Sequence, residues 1–281
     1  MINRNSMRNN KLYKVVGAIV LAATAYACTT VPITGRKQLT GVPGAPDSQE
    51  IIAMSSDTYS HLMDSVKLST DQEQVARVKR VGDRIKGAVE KYLTQNGYEE
   101  LLQGFNWEFN LIEDDEMVNA WAMPGGKVAF YTGIMPICKD DIGVAVVMGH
   151  EVAHAIAKHG EERINQTYAK QVGMTVGAIA LGENPGVAEK LIYQSVGYGS
   201  DLGLLSFSRT HESEADELGI VFMAIAGYDP QEAPKFWERM SANSGGNQPP
   251  EFLSTHPSHE TRIERLNEAM PKALEYYNGD K

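Results

Sequence analysis

The stretch that most constrains this chain of 281 residues is "MGHEVAHAIAKHG", residues 148 to 160, in which His150 and His154 flank Glu151 in a run otherwise made largely of Val, Ala, Ile and Met. Four residues is a little more than one helical turn, so in a helix both imidazoles project from one face and can reach a single ion. Glu151 then sits beside them. In this H-E-x-x-H arrangement two histidines bind Zn²⁺ and the glutamate takes a proton from water. The pattern asks for a packed helix, a third ligand from another element and access for water. The longer layout H-E-x-x-H-x-x-G-x-x-H is excluded, because Ala157 and Gly160 stand where Gly and His would be needed.

A source for the third ligand lies further on. "SFSRTHESEADELGIVFMAIAGYDP" begins with candidate caps at Ser206 and Ser208, continues as a helix, stops at Gly227, and has Pro230 to open the next helix. It carries Glu212 and Asp216, again four apart. If this helix lies across the first, Glu212 can complete a His-His-Glu set with the fourth zinc position open to water, as a catalytic site requires. Asp216 would hold a ligand imidazole through its other N–H. Glu214 and Glu217 read as a solvated face.

The remainder reads as export apparatus followed by a mixed domain. Residues 1–27 hold Arg4, Arg8, Lys11 and Lys14, no acid, and the apolar run Val15 to Ala27, which is the build of a signal peptide. Ala25 and Ala27 fit ordinary cleavage, while Cys28 in the next position fits a lipoprotein. With only Cys28 and Cys138 in the chain, lipidation of Cys28 is the favoured reading, and pairing with Cys138, itself in an apolar run, is the alternative. Removing residues 1–27 leaves 22 Lys and Arg against 36 Asp and Glu, a net −14, which excludes nucleic acid as a partner. Residues 28–47 are rich in Pro, Gly and Thr and read as an extended tether; residues 48–281 are the globular domain. Apolar residues at three- and four-residue spacing, as in Val75, Val78, Val81, Ile85 and Val89, predict scaffold helices from Ser48 onward. "FNWEFNLIED" and "VNAWAMPGGKVAFYTG" predict a small antiparallel sheet with a hairpin turning at Pro124–Gly126, hence a helix-rich α+β class. Asp140 or Asp141 caps the motif helix, which is expected to run to Gly160 or beyond, with Lys158 and His159 near its end. Residues 172–182 are too short to span a bilayer and read as a buried or groove-lining helix; residues 182–208 read as a loop.

"TVPITGRKQL", "NAWAMPGGKVAFYTG", "HEVAH", "SRTHESEAD" and "STHPSHETRI", in that order, resemble a family of zinc metallopeptidases. It includes the CAAX prenyl endopeptidase, the heat-shock membrane protease HtpX and bacterial lipoprotein proteases of outer-membrane quality control. The resemblance covers most of the chain after residue 27. It implies a zincin-type fold, an endopeptidase activity, one Zn²⁺ per chain, Glu212 as the third ligand and Asp216 as its companion. Without multiple membrane spans, the chain resembles the lipoprotein branch most. That implies a lipid-anchored protease of the bacterial cell envelope, on the outer membrane facing the periplasm, with unfolded or misfolded envelope proteins as substrates. A chaperone or assembly factor for outer-membrane proteins that keeps the zinc fold with little turnover is the alternative, and an intact Glu151 argues against it.

The same resemblance sets Asn119, Ala120, Trp121 and Ala122 beside the cleft, where a strand edge would hold an extended substrate by main-chain pairing. It also brings His256 and Arg262 over the cleft as catalytic candidates. Either could donate to the oxyanion opposite the attacking water. His256 could alternatively swing onto the open zinc position and hold the enzyme latent, which is favoured as its resting role. Ser258 is the expected cap of the helix that carries Arg262, and His259 is expected to be merely exposed on its first turn.

Overall fold

The computed structural model describes residues 28–175, 207–242, 251–256 and 261–279. The expected signal peptide, the loop at 182–206, most of the 172–182 segment, Ser258 and His259 lie outside the described residues. The first two helices are scaffold. Helix α1 (Ser48–Ser65) starts at Asp47, whose carboxylate accepts from the backbone N–H of Gln49 and Glu50 while Glu50 accepts in return from the Asp47 N–H, a reciprocal cap that meets two otherwise orphan donors. Helix α2 (Gln72–Asn96) starts at Asp71 and ends at Gly97, whose φ of 73° only glycine adopts without cost. Its Val78, Val81, Ile85 and Val89 stripe is buried, as the spacing predicts.

Strands β3 (Glu108–Ile112), β4 (Ala120–Met123) and β5 (Lys127–Tyr131) form the sheet, in spatial order β3-β5-β4. β4 and β5 are the expected antiparallel hairpin, turning at Pro124–Gly126, and β3 joins the far side of β5 in parallel. Alternate residues feed two cores. Phe109, Leu111, Ala120, Val128 and Phe130 face the larger one; Ile112, Trp121, Met123, Ala129 and Tyr131 face a smaller one with α1.

After the short helix α3 (Met135–Cys138) comes α4 (Asp141–Ile156), capped by Asp140, which accepts from the N–H groups of Ile142 and Gly143. Every residue of α4 from Gly143 to Ile156 is buried, so this helix is the axis of the domain. It stops before Gly160. Lys158 takes a left-handed φ of 59° and α5 (His159–Thr175) starts afresh, so the single long helix expected from the sequence is two. Helices α6 (Arg209–Ile225), α7 (Glu232–Ala242), α8 (Glu251–Thr255) and α9 (Arg262–Tyr277) complete the chain. Thr261 occupies the cap position of α9, and its side chain makes no capping bond to the first N–H groups of the helix. Among the described residues no helix is long and apolar enough to cross a membrane.

Residues 28–47 do not form a free tether. Strands β1 (Cys28–Thr30) and β2 (Lys37–Leu39) pair antiparallel as a strap across the domain. Val31 buries into the larger core and Val42 into the smaller, and the Val42 N–H donates to Asn165 Oδ1 at 3.0 Å. Composition alone resembles a linker here because the few residues that anchor the strap are widely spaced.

Candidate metal centre

Helix α4 presents His150, Glu151 and His154 on its buried surface, and α6 crosses it closely enough to add Glu212. The close approach depends on a pair of glycines. A Cβ on Gly149 would lie 2.7 Å from the Gly219 carbonyl oxygen, and one on Gly219 would lie 2.9 Å from the His150 nitrogen. With the helices that near, His150 Nε2 and His154 Nε2 stand 3.1 Å apart, and the Glu212 carboxylate reaches them at 3.5 and 3.4 Å.

These spacings fit a zinc ion. Tetrahedral ligands at the usual zinc distances of about 2.0 Å are separated by about 3.3 Å. His256 Nδ1 supplies a fourth corner, 3.3 Å from His150 Nε2 and 3.1 Å from Glu212 Oε1, and the four candidate ligand atoms all lie within 4.8 Å of one another. Glu151 Oε1 is buried beside them with no hydrogen-bond partner among the described residues, 3.4 Å from His256 Nε2. A buried carboxylate oxygen left unpaired against a cluster of nitrogens is costly without a cation or water to meet it.

Each ligand is held from behind. Asp216 Oδ1 lies 2.9 Å from His150 Nδ1, which leaves Nε2 free for an ion. Arg262 donates from Nε to Asp216 at 2.7 Å and from one terminal nitrogen to Glu212 at 2.9 Å and Asp216 at 3.0 Å, with its guanidinium 3.5 Å above the Trp237 ring. His154 stacks on Phe207 at 4.0 Å and meets His159 Nδ1 at 2.8 Å through its own Nδ1. Burial pushes His150 down, but its bonds to Asp216 and Glu212 outweigh that and hold it up at about 9. Burial lowers His154 well below the usual imidazole range and raises Glu151 above the usual carboxylate range. Glu212 is pushed up by burial, yet the facing His256, His150 and His154 bring it well below normal.

The structure thus gathers His150, Glu151, His154, Glu212, Asp216 and His256 at one point. Two expectations need correction. Arg262 is 1% exposed and pairs through Nε and one terminal nitrogen with Asp216 and Glu212, a buried counter-ion behind the ligands whose other terminal nitrogen has no partner among the described residues. Glu214 is not on a solvated face: it is buried and accepts from His159, Thr34 and Arg36. Glu217 is the exposed acid of that helix. Ala120 to Ala122 lie in β4, an edge strand, with Asn119 directly before it; Trp121 and Ala122 line the cleft with Glu151, His154, Phe207 and His256, and the Ala122 N–H faces the Glu151 carboxylate. His159, Trp237 and Phe207 were not predicted in any role here. For His159 the sequence carries no signal, because the ligand helix reads as continuous through it and the break at Lys158 has no local mark.

The larger part of the chain has known counterparts. A family profile described as Peptidase family M48 matches residues 80–270. The mitochondrial metalloendopeptidase OMA1 of Schizosaccharomyces pombe is 32% identical over 95% of this chain and 74% of its own length. The OMA1 protein of Saccharomyces cerevisiae is 37% identical over 63% of this chain, which spans only 51% of it. The β-barrel assembly-enhancing protease of Escherichia coli is 30% identical over 60% of this chain and 36% of its own length. These similarities correct the placement expected from the sequence. The match along nearly the whole chain is to a mitochondrial enzyme, against three fifths for the bacterial one, so the assignment to a bacterial envelope lipoprotein of outer-membrane quality control is overturned, and with it the lipid on Cys28.

Proposed function

The chain belongs to peptidase family M48 and is a zinc metalloendopeptidase, and we propose that it cuts extended, unfolded stretches of protein with Glu151 as base and His150, His154 and Glu212 as zinc ligands. One observation carries the assignment of roles: the two Nε2 atoms and the Glu212 carboxylate converge at zinc-like spacing with the unpartnered Glu151 oxygen beside them. Zinc, when bound, polarises the scissile carbonyl and lowers the pKa of water toward neutrality. Glu151 takes the proton of the attacking water and returns it to the leaving amine. Its burial suits a group that must hold a proton briefly and give it up again.

A substrate in extended form lies along the free edge of β4, pairing by main-chain bonds around Asn119 to Ala122, which favours unfolded segments over any one sequence. His256 is the resting occupant of the fourth corner, a latch that must leave before a substrate carbonyl and water can share the site. The catalytic unit is residues 48–281, with residues 28–47 strapped to it. The test is cleavage of a reduced, unfolded protein by the purified chain, with metal analysis. One zinc per chain and activity lost to a zinc chelator and regained with added Zn²⁺ are expected; cleavage that survives metal removal would overturn the reading.

A further inference from the structure

Behind His154, on the side away from the cleft, lies a second cluster of polar groups that the proposed chemistry does not use: the buried His159, His211, Glu162 and Glu214, and the partly buried Arg36. The break at Lys158 creates it. In a continuous helix His159 would stand about 140° around the axis from His154; the left-handed turn instead swings it back until the two Nδ1 atoms are 2.8 Å apart.

The hydrogen bonds run in one direction only. If His154 offers Nε2 to an ion, its Nδ1 carries the proton and donates to His159 Nδ1, which must then accept. His159 consequently carries its proton on Nε2, which donates to Glu214 Oε2 at 2.7 Å. Glu214 is completed from the strap: the Thr34 hydroxyl donates to one oxygen and Arg36 Nε to the other. A terminal nitrogen of Arg36 donates to Glu162 at 2.7 Å, and Glu162 also faces His211 Nε2 at 3.0 Å, whose ring stacks on His159 at 4.4 Å. Among the described residues the guanidinium is the one cation that bonds both carboxylates, so the far end of the relay is fixed by a residue 118 positions from the ligand it serves.

We propose that Arg36, on the N-terminal strap, is a positioning residue of the metal centre, acting through Glu214 and His159 on the zinc ligand His154. The strap is then part of the site. Its docking and zinc binding are coupled, and by reciprocity each strengthens the other by the same factor. The inference rests on the reading of His154 as a ligand.

The test is zinc affinity of the full chain by chelator competition, with the visible spectrum of the Co²⁺-substituted protein reporting ligand geometry. His159→Ala should weaken zinc by about 10–100-fold, as loss of a partner behind a ligand does. Arg36→Met, which keeps the length of the side chain, should weaken it in the same direction and alter the Co²⁺ spectrum, and the double variant should be no weaker than His159→Ala alone. Lys37→Ala, exposed on the same strap, should match wild type. Independently, zinc should slow backbone hydrogen exchange across residues 36–42 of the unaltered protein, which keeps the test alive should a variant fail to fold. Wild-type affinity and spectrum in Arg36→Met, additive effects in the double variant, or exchange indifferent to zinc would overturn the proposal. If the unaltered protein binds no zinc at all, the underlying reading of the ligands fails instead.

Discussion

Arg262→Met separates a buried counter-ion from an oxyanion donor. Arg262 is 1% exposed and makes three bonds of 2.7 to 3.0 Å to Asp216 and Glu212, which are themselves buried. Methionine fills much of the stem's volume against Trp237 but leaves two carboxylates facing each other without their cation. Breaking a buried ion pair from one side costs about 3–5 kcal/mol. At about 2–4 °C per kcal/mol for a domain of this size, the metal-free protein should melt about 6–20 °C lower. Zinc should restore part of that, because a dication would meet Glu212 directly and draw on Asp216 through the His150 ring, so the gain in Tm on adding Zn²⁺ should be at least as large as in wild type. Circular dichroism melts with chelator and with excess Zn²⁺ read both quantities. A metal-free Tm within a degree or two of wild type, with zinc retained and turnover lost, would refute the counter-ion argument and return Arg262 to the role of oxyanion donor.

Glu212→Ala should lose zinc outright, whereas Glu217→Ala, an exposed acid of the same helix, should leave zinc content and turnover unchanged; metal analysis after gel filtration distinguishes them. Gly219→Ala puts a Cβ 2.9 Å from the His150 nitrogen and 3.0 Å from the Gly149 carbonyl carbon, which should cost about 1–3 kcal/mol in denaturant unfolding and loosen zinc binding by spreading α4 from α6. His256→Ala removes the occupant of the fourth corner and should raise basal proteolysis, self-cleavage included, with zinc still bound; a fall in turnover of about 10²–10³ would make it an oxyanion donor.

The parts of the site that were legible in the sequence are those that depend on one helical period. His150 with His154, and Glu212 with Asp216, are each four apart, and a single crossing of α4 by α6 brings them together. The Gly149–Gly219 contact that permits the crossing has no local signature, since a mid-helix glycine shows no purpose until its neighbour is known. His159 and Glu214 escaped for two different reasons. The break at Lys158 involves neither Gly nor Pro, so the helix looks continuous and His159 looks remote from the ligand face. Glu214 sits among acids on a helix, and the groups that justify its burial come from residues 34, 36 and 159. The strap was misread for a related reason: Pro, Gly and Thr dominate its composition, while Val31, Arg36 and Val42, spaced too far apart to form a periodic pattern, anchor it. The β4–β5 hairpin, a local pairing, was predicted, but the parallel pairing of β3 with β5 needs contacts that no local pattern announces.

The central claim is that Glu151 is the base of a zinc site it does not itself ligate. Glu151→Gln is nearly isosteric and leaves His150, His154 and Glu212 in place, so the measurement is zinc content and turnover of an unfolded substrate in the same preparation. The account predicts near-stoichiometric zinc with turnover reduced by about 10²-fold or more, the scale of a lost general base. Zinc bound as in wild type together with wild-type turnover would contradict it.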